Sequence, residues 1–193
     1  MGGRTKMEDM NNAEPAKKGF LERVTLLAAT GLGLGYAPVA PGTVGTILGI
    51  PLALAITVLH GHIWWQVGIA AALTLIAIPI CDGAEKSFGE KDDGRIVADE
   101  YMLFPICFVG QLPLCRMFAA GGVEAKQAAA FLVVAFLVAR VCDILKPTPA
   151  RQIQRVKGGL GVVLDDLFAS FYAWILLWGL RDWLLRFVAN YFG

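Results

Sequence analysis

Four groups of acidic residues lie beside or inside strongly apolar stretches of this 193-residue chain: Asp92-Asp93, Asp99-Glu100, Asp143 and Asp165-Asp166. A carboxylate near hydrocarbon costs about 2.5–3.5 kcal/mol at a helix centre on insertion scales, so several together imply a shared use. Oxygen-only donors suit a hard divalent cation such as Mg2+, whose charge offsets theirs. Neighbouring helical positions point about 100° apart, so each acidic pair can offer one ligand and one orienting or proton-transferring group. Helix capping is the competing reading, since Asp and Glu are favoured at helix N-termini. Capping accounts for Asp99 at the head of an apolar run. It fits less well with Asp165-Asp166, four or five residues inside one, or with Asp143 at a helix C-terminus, where the dipole disfavours an anion.

Basic residues flank the same acids. Arg140, Lys146 and Arg151 bracket Asp143 in RVCDILKPTPAR. Any one of them could simply snorkel to a membrane surface. Together, and stiffened by Pro147 and Pro149, they read as an anion cradle, with Arg suited to a bidentate grip on phosphate and Lys to a point contact. The loop GLGLGYAPVAPGTVG at 31–45 adds backbone N–H groups and the Thr43 hydroxyl. Gly45 and Gly49 also form a GxxxG, whose simplest use is close helix packing. No dinucleotide fingerprint is completed, because Pro38 stands where GxGxxG needs its last glycine, and no Walker A motif occurs. His60 and His62 are the two histidines and fall far from the acids. No Cys has an Arg six positions on, and no Asp-x-Asp pair is present. A water or carboxylate acting with a metal is the chemistry that remains.

The elements that carry these residues are apolar. The chain is 56% hydrophobic and 17% charged, against about 45–50% and 25% for soluble domains, which points to an all-α, polytopic membrane protein. A net charge of +1 gives no bulk basic character for nucleic acid. Four cysteines, without metal spacing, read as small buried hydrophobes. Residues 1–18 read as a polar mobile leader and 19–193 as one helical domain. Residues 19–30 are amphipathic and suit an interface. Spans are expected at 44–60, 63–81 and 161–180, with 128–141 a shorter apolar helix that spans only if its register extends past its ends, an aromatic amphipathic tail at 181–193, a polar stretch at 82–100 and a short turn at 118–127. The run 101–117, interrupted by Pro105 and Pro113, is either a distorted span or re-entrant. Lys and Arg number thirteen in the leader, first helix, 82–100 and 140–160, against four on the opposite side, so the first group is expected in the cytoplasm. That topology brings the 31–45 loop, Asp99-Glu100, Asp143 and Asp165-Asp166 to one membrane face.

In order and spacing, GLGLGYAPVAPGTVGT, DDGRIVADE, ARVCDILKPTPAR and GGLGVVLDD resemble the phosphatidylglycerophosphatase A family over about Gly31 to Ala169. The resemblance implies a helical, multi-pass enzyme of the bacterial inner membrane. It would remove the terminal phosphate of phosphatidylglycerophosphate with magnesium, giving phosphatidylglycerol. The family's acidic motif falls on Asp99 and Glu100, its basic run on Arg140, Asp143, Lys146 and Pro147, and its glycine-aspartate run on Gly159, Gly161, Asp165 and Asp166. Leu103 stands where a small residue is common. Lys157 stands where a histidine is frequent, so that histidine is not required here.

The expected site is therefore Asp99, Glu100, Asp143, Asp165 and Asp166 as catalytic acids, with Asp99, Glu100, Asp165 and Asp166 also holding the metal. Arg140, Lys146, Arg151 and Thr43 grip the phosphate. The alternative is a transporter or channel with a carboxylate-lined cation path, which would spread its acids through the membrane depth. The bilayer and its phospholipid are the expected partners.

Overall fold

A computed structural model describes residues 19–91, 93–146, 148 and 158–192; the leader, Asp92, Pro147 and Arg151 lie outside them. The described residues form eight α-helices and no strand. They are α1 (Phe20–Ala29), α2 (Pro41–Thr46), α3 (Gly49–Val58), α4 (Ile63–Phe88), α5 (Ala98–Leu103), α6 (Leu114–Ala120), α7 (Gly122–Leu145) and α8 (Gly159–Phe192). Short 3-10 turns occupy Leu34–Tyr36 and Phe104–Phe108. Among the described residues, four stretches are long and apolar enough to cross a membrane: Pro41–Val58, α4, α7 and α8. The chain is a multi-pass membrane protein.

Each boundary has a local cause. The first span is kinked between α2 and α3, where Ile47, Leu48 and Ile50 donate to carbonyls three residues back. Pro51 explains the kink, since it has no N–H to give the Ile47 carbonyl and its ring crowds that group. α4 ends at Gly89, whose φ of +74° is the left-handed cap that glycine adopts without strain. Hydropathy predicted spans about as long as hydrocarbon is thick, whereas the helices run on. α4 continues seven residues past 81, and α7 starts six before 128. α8 absorbs the tail expected at 181–193 into one helix, as far as Phe192. Its 34 residues make about 51 Å of helix at 1.5 Å per residue, well beyond a hydrocarbon core of about 30 Å. The expected turn at 118–127 is also helical, apart from a break at Gly121.

Segment 98–121 contains the run, 101–117, whose path its two prolines left open. It starts beside the acids, yet the Gly110 amide donates to Gln66 Oε1 (2.7 Å) and the Cys115 thiol to the Leu54 carbonyl (3.3 Å), both at the opposite end of the bundle. It therefore traverses the protein rather than returning. It does so inside the bundle, with Leu103, Phe104, Cys107, Phe108 and Leu114 buried. Its interrupted backbone finds partners there, for instance where the Trp174 indole N–H donates to the Val109 carbonyl (2.8 Å). Irregular backbone at membrane depth is tolerated only when enclosed in this way.

Around this inner segment, α8 packs on both α7 and α4. Buried Ala128, Ala135, Ala169 and Ala173 contribute small side chains to the core, which allows close helix approach where apolar burial gives no driving force. Exposed Trp64, Trp65, Trp183 and Tyr191 gather at the end away from the acids, as an aromatic interfacial belt does. α1 crosses α4 at Gly83, where an added Cβ would lie 2.9 Å from Thr25. Of its predicted apolar face, Phe20, Leu21, Val24, Leu27 and Ala28, the four large side chains point outward and Ala28 is half-buried.

Candidate active site

Four elements deliver the acids to one end of the bundle. The loop after α1 is tied down first: the Val97 amide donates to the Ala29 carbonyl (2.8 Å) and the Tyr101 hydroxyl to the Ala28 carbonyl (3.0 Å). A Cβ on Gly35 would strike the backbone carbonyl of Arg95, one on Gly45 would meet Val97 at 2.5 Å, and one on Gly49 would meet Phe104 at 2.7 Å. The GxxxG thus serves close packing, within the protein rather than between proteins. This contact brings Pro41, Gly42 and Thr43 over the head of α5, with Gly42 against Glu100 and Arg140. The C-terminal turns of α7 and the first turns of α8 complete the enclosure.

The result is a cleft of about 400 Å3, lined among others by Thr43, Asp99, Glu100, Asp143, Lys146 and Asp166. Arg140 is at its centre. Its Nη1 is 2.9 Å from Asp143, 3.9 Å from Glu100 and 3.2 Å from the Thr46 hydroxyl. Lys146 Nζ is 2.5 Å from Asp165 and 3.8 Å from Asp166. Burial alone would lower the Lys146 pKa, but the carboxylates of Asp166 and Asp165 more than offset it and hold the ammonium above the usual lysine range. Beneath the cleft, a pocket of about 20 Å3 touches Thr46, Glu100, Arg140, Asp143, Asp166 and Ser170, room for about one water.

Of the residues expected from sequence, Asp99, Glu100, Asp143, Asp166, Arg140, Lys146 and Thr43 line this one cleft. Asp165 is buried behind it, holding Lys146 and accepting from the Asp166 amide at 3.1 Å. Arg151 falls outside the described residues. Three contributors were missed. Asp93 lines the cleft and is gripped by Arg95 through Nε (2.8 Å) and Nη2 (2.5 Å). Those bonds hold its carboxyl below the usual carboxylate range. Thr46 binds Arg140, and Gly42 supplies the close approach. The Asp92-Asp93 pair was visible as an acidic group, and PGTVG as an anion cradle. Neither spacing signalled contact with Glu100 or Arg140.

Among the described residues, five carboxylates, from Asp99, Glu100, Asp143, Asp165 and Asp166, gather with two cations, Arg140 and Lys146. Within that excess, Asp99 Oδ1 and Glu100 Oε2 are buried without a hydrogen-bond partner among the described residues. Unpartnered buried carboxylate oxygens are costly and are the hard donors that Mg2+ takes. In this arrangement no three His, Cys, Asp or Glu side chains among the described residues converge closely enough to hold a metal ion. Two carboxylates suffice for an ion that keeps most of its waters, so the donors fit.

A family model described as phosphatidylglycerophosphatase A matches residues 27–181. A Haemophilus influenzae phosphatidylglycerophosphatase A is 30% identical over 177 residues, covering 91% of this chain and all of the relative. The Escherichia coli protein of the same name is 30% identical over 146 residues, 75% of this chain and 76% of its own length. A Bacteroides thetaiotaomicron protein, named as a candidate phosphatidylinositol-3-phosphatase, is 31% identical over 155 residues, 79% of this chain and 90% of the relative. No solved structure matches.

Proposed function

The chain belongs to the phosphatidylglycerophosphatase A family and is a phosphatase, and we propose that it hydrolyses phosphatidylglycerophosphate to phosphatidylglycerol and inorganic phosphate with Mg2+. The proposed place is the cytoplasmic face of a bacterial inner membrane, as a step of phospholipid synthesis. The observation that carries the reading is a cleft in which Arg140 and Lys146 meet Asp99, Glu100, Asp143 and Asp166, with oxygens on Asp99 and Glu100 that have no hydrogen-bond partner among the described residues. That charge pattern suits a phosphate dianion and a divalent cation entering together.

Asp99 and Glu100 would hold the metal, with Asp166 across the cleft. Magnesium, when bound, supplies positive charge against the phosphoryl oxygens. Arg140 offers the planar donor pair for two phosphate oxygens, and Lys146 a third, point-like contact. Asp143 and Thr46 fix the guanidinium, and Asp165 fixes the ammonium. The small pocket between Glu100 and Asp166 has room for the attacking water. As its oxygen bonds to phosphorus, a neighbouring carboxylate takes its proton. The bond from phosphorus to the glycerol oxygen breaks, and that oxygen leaves as the alcohol by taking up the proton the carboxylate removed from the water.

The gathering of these acids at one end of the bundle favours a catalytic site over an ion pathway, whose charges would follow the membrane depth. Substrate choice is tested with purified protein in detergent on three lipids: phosphatidylglycerophosphate, phosphatidylinositol 3-phosphate and a CDP-linked diester. Phosphate release is expected fastest from the first and absent from the third. Preferential turnover of the inositol lipid, or nucleotide release from the diester, would displace the proposal.

A further inference from the structure

The cleft has an exposed apolar lip. Ile144 lines it beside Asp143 and Lys146, yet its surface is 70% exposed. Ile144 ends a row on α7: Leu137, Val141 and Ile144 recur at helical spacing, all exposed, and Arg140 lies on the edge of that row. Across the opening, exposed Val39 and Ile47 flank the segment that carries Pro41, Gly42 and Thr43. Among the described residues α2 and α7 do not pack along their lengths, and the Arg140–Thr46 hydrogen bond bridges them. An apolar track from membrane depth thus ends at two cations.

We propose that this gap between α2 and α7 is a lateral portal. The substrate lipid stays in the bilayer, lays its hydrocarbon along Leu137, Val141 and Ile144, and swings its terminal phosphate onto Arg140 and Lys146. The identity of the phosphate rests on the phosphatase reading above; the route rests on the track. Charge complementarity selects the occupant, because a lipid with a terminal phosphate joins an anion to hydrocarbon in the order the surface presents. A larger apolar groove, about 490 Å3 among Val67, Ala70, Leu75, Ile106, Leu167 and Trp174, has no charged lining. It faces the α4 side of α8 and meets no anion-binding group.

The test places a photoreactive benzoylphenylalanine at position 144, or at exposed Leu75 in that groove, in the full chain. Each protein is reconstituted in phosphatidylethanolamine vesicles with a trace of labelled phosphatidylglycerophosphate or labelled phosphatidylglycerol. Position 144 should cross-link the terminal-phosphate lipid several-fold more than phosphatidylglycerol, and Arg140→Ala should remove the excess. Position 75 should capture both equally. Equal capture at 144, or a phosphate-dependent excess at 75, overturns the portal. Expected cross-linking without phosphate release supports the route and counts against the reaction. Phosphate release with equal capture at both positions keeps the reaction and removes the route.

Discussion

Lys146 neutralises buried acids, Arg140 neutralises partly buried ones, and both are assigned a phosphate, so their removal should be read in two ways at once. Losing a charged phosphate contact costs about 1.5–3 kcal/mol, or roughly tenfold to more than a hundredfold in kcat/KM. Lys146→Ala and Arg140→Ala should fall in that range on phosphatidylglycerophosphate, and wild-type kinetics in both would return them to snorkelling. Lys146→Ala also takes the ammonium away from buried Asp165. Its thermal midpoint should therefore drop, as breaking a buried pair from one side does. Asp99→Asn and Asp166→Asn should lower turnover by orders of magnitude in protein that still inserts and folds. If they instead lost expression and kept specific activity, capping would be the right account of these acids. The acids were legible in the sequence because a carboxylate beside hydrocarbon is expensive and so conspicuous. Asp93 was less so, because its partner Arg95 is two residues away and makes the pair look like an ordinary polar loop.

Helices position this site through glycines, and two of them separate function from folding. A Cβ on Gly42 would enter the Glu100 carboxylate and lie 3.1 Å from Arg140 Nη2. Side-chain ends can move, so Gly42→Ala should fold normally and lose tenfold or more in turnover. A Cβ on Gly159 would strike the α4 backbone at Ile78 and Asp82. Backbone cannot yield as cheaply, and overpacking of this kind costs about 1–3 kcal/mol. Gly159→Ala should lower the unfolding midpoint by roughly 2–4 °C per kcal/mol at this chain length. Equal effects of the two substitutions on turnover and stability would contradict the distinction. The long helices were legible because apolar runs of span length have few other uses. Their ends were not, because hydropathy reports the hydrocarbon thickness, and α4 and α8 continue past it. The path of 98–121 was hidden for a related reason: Pro105 and Pro113 announce a broken helix, but the bonds to Gln66 and Leu54 that carry it across are tertiary.

For the molecule in its membrane, the thirteen-to-four bias of Lys and Arg is the ground for proposing a cytoplasmic cleft, where phospholipid synthesis would present its substrate. In a cysteine-free background, a cysteine at exposed Gly61 should react with an impermeant maleimide in intact cells, and one at exposed Glu90 should not. The reverse pattern would turn the cleft away from its lipid supply. That Gly61 and the acids sit at opposite ends of the bundle was legible, since each expected span reverses the chain. The cleft's excess of acid over base then bears on the most direct test of all, inorganic phosphate released from phosphatidylglycerophosphate by the purified chain as free Mg2+ is varied. After chelation with EDTA the rate should fall to background, and added Mg2+ should restore it in a saturable way. Full turnover in metal-free buffer would contradict the account.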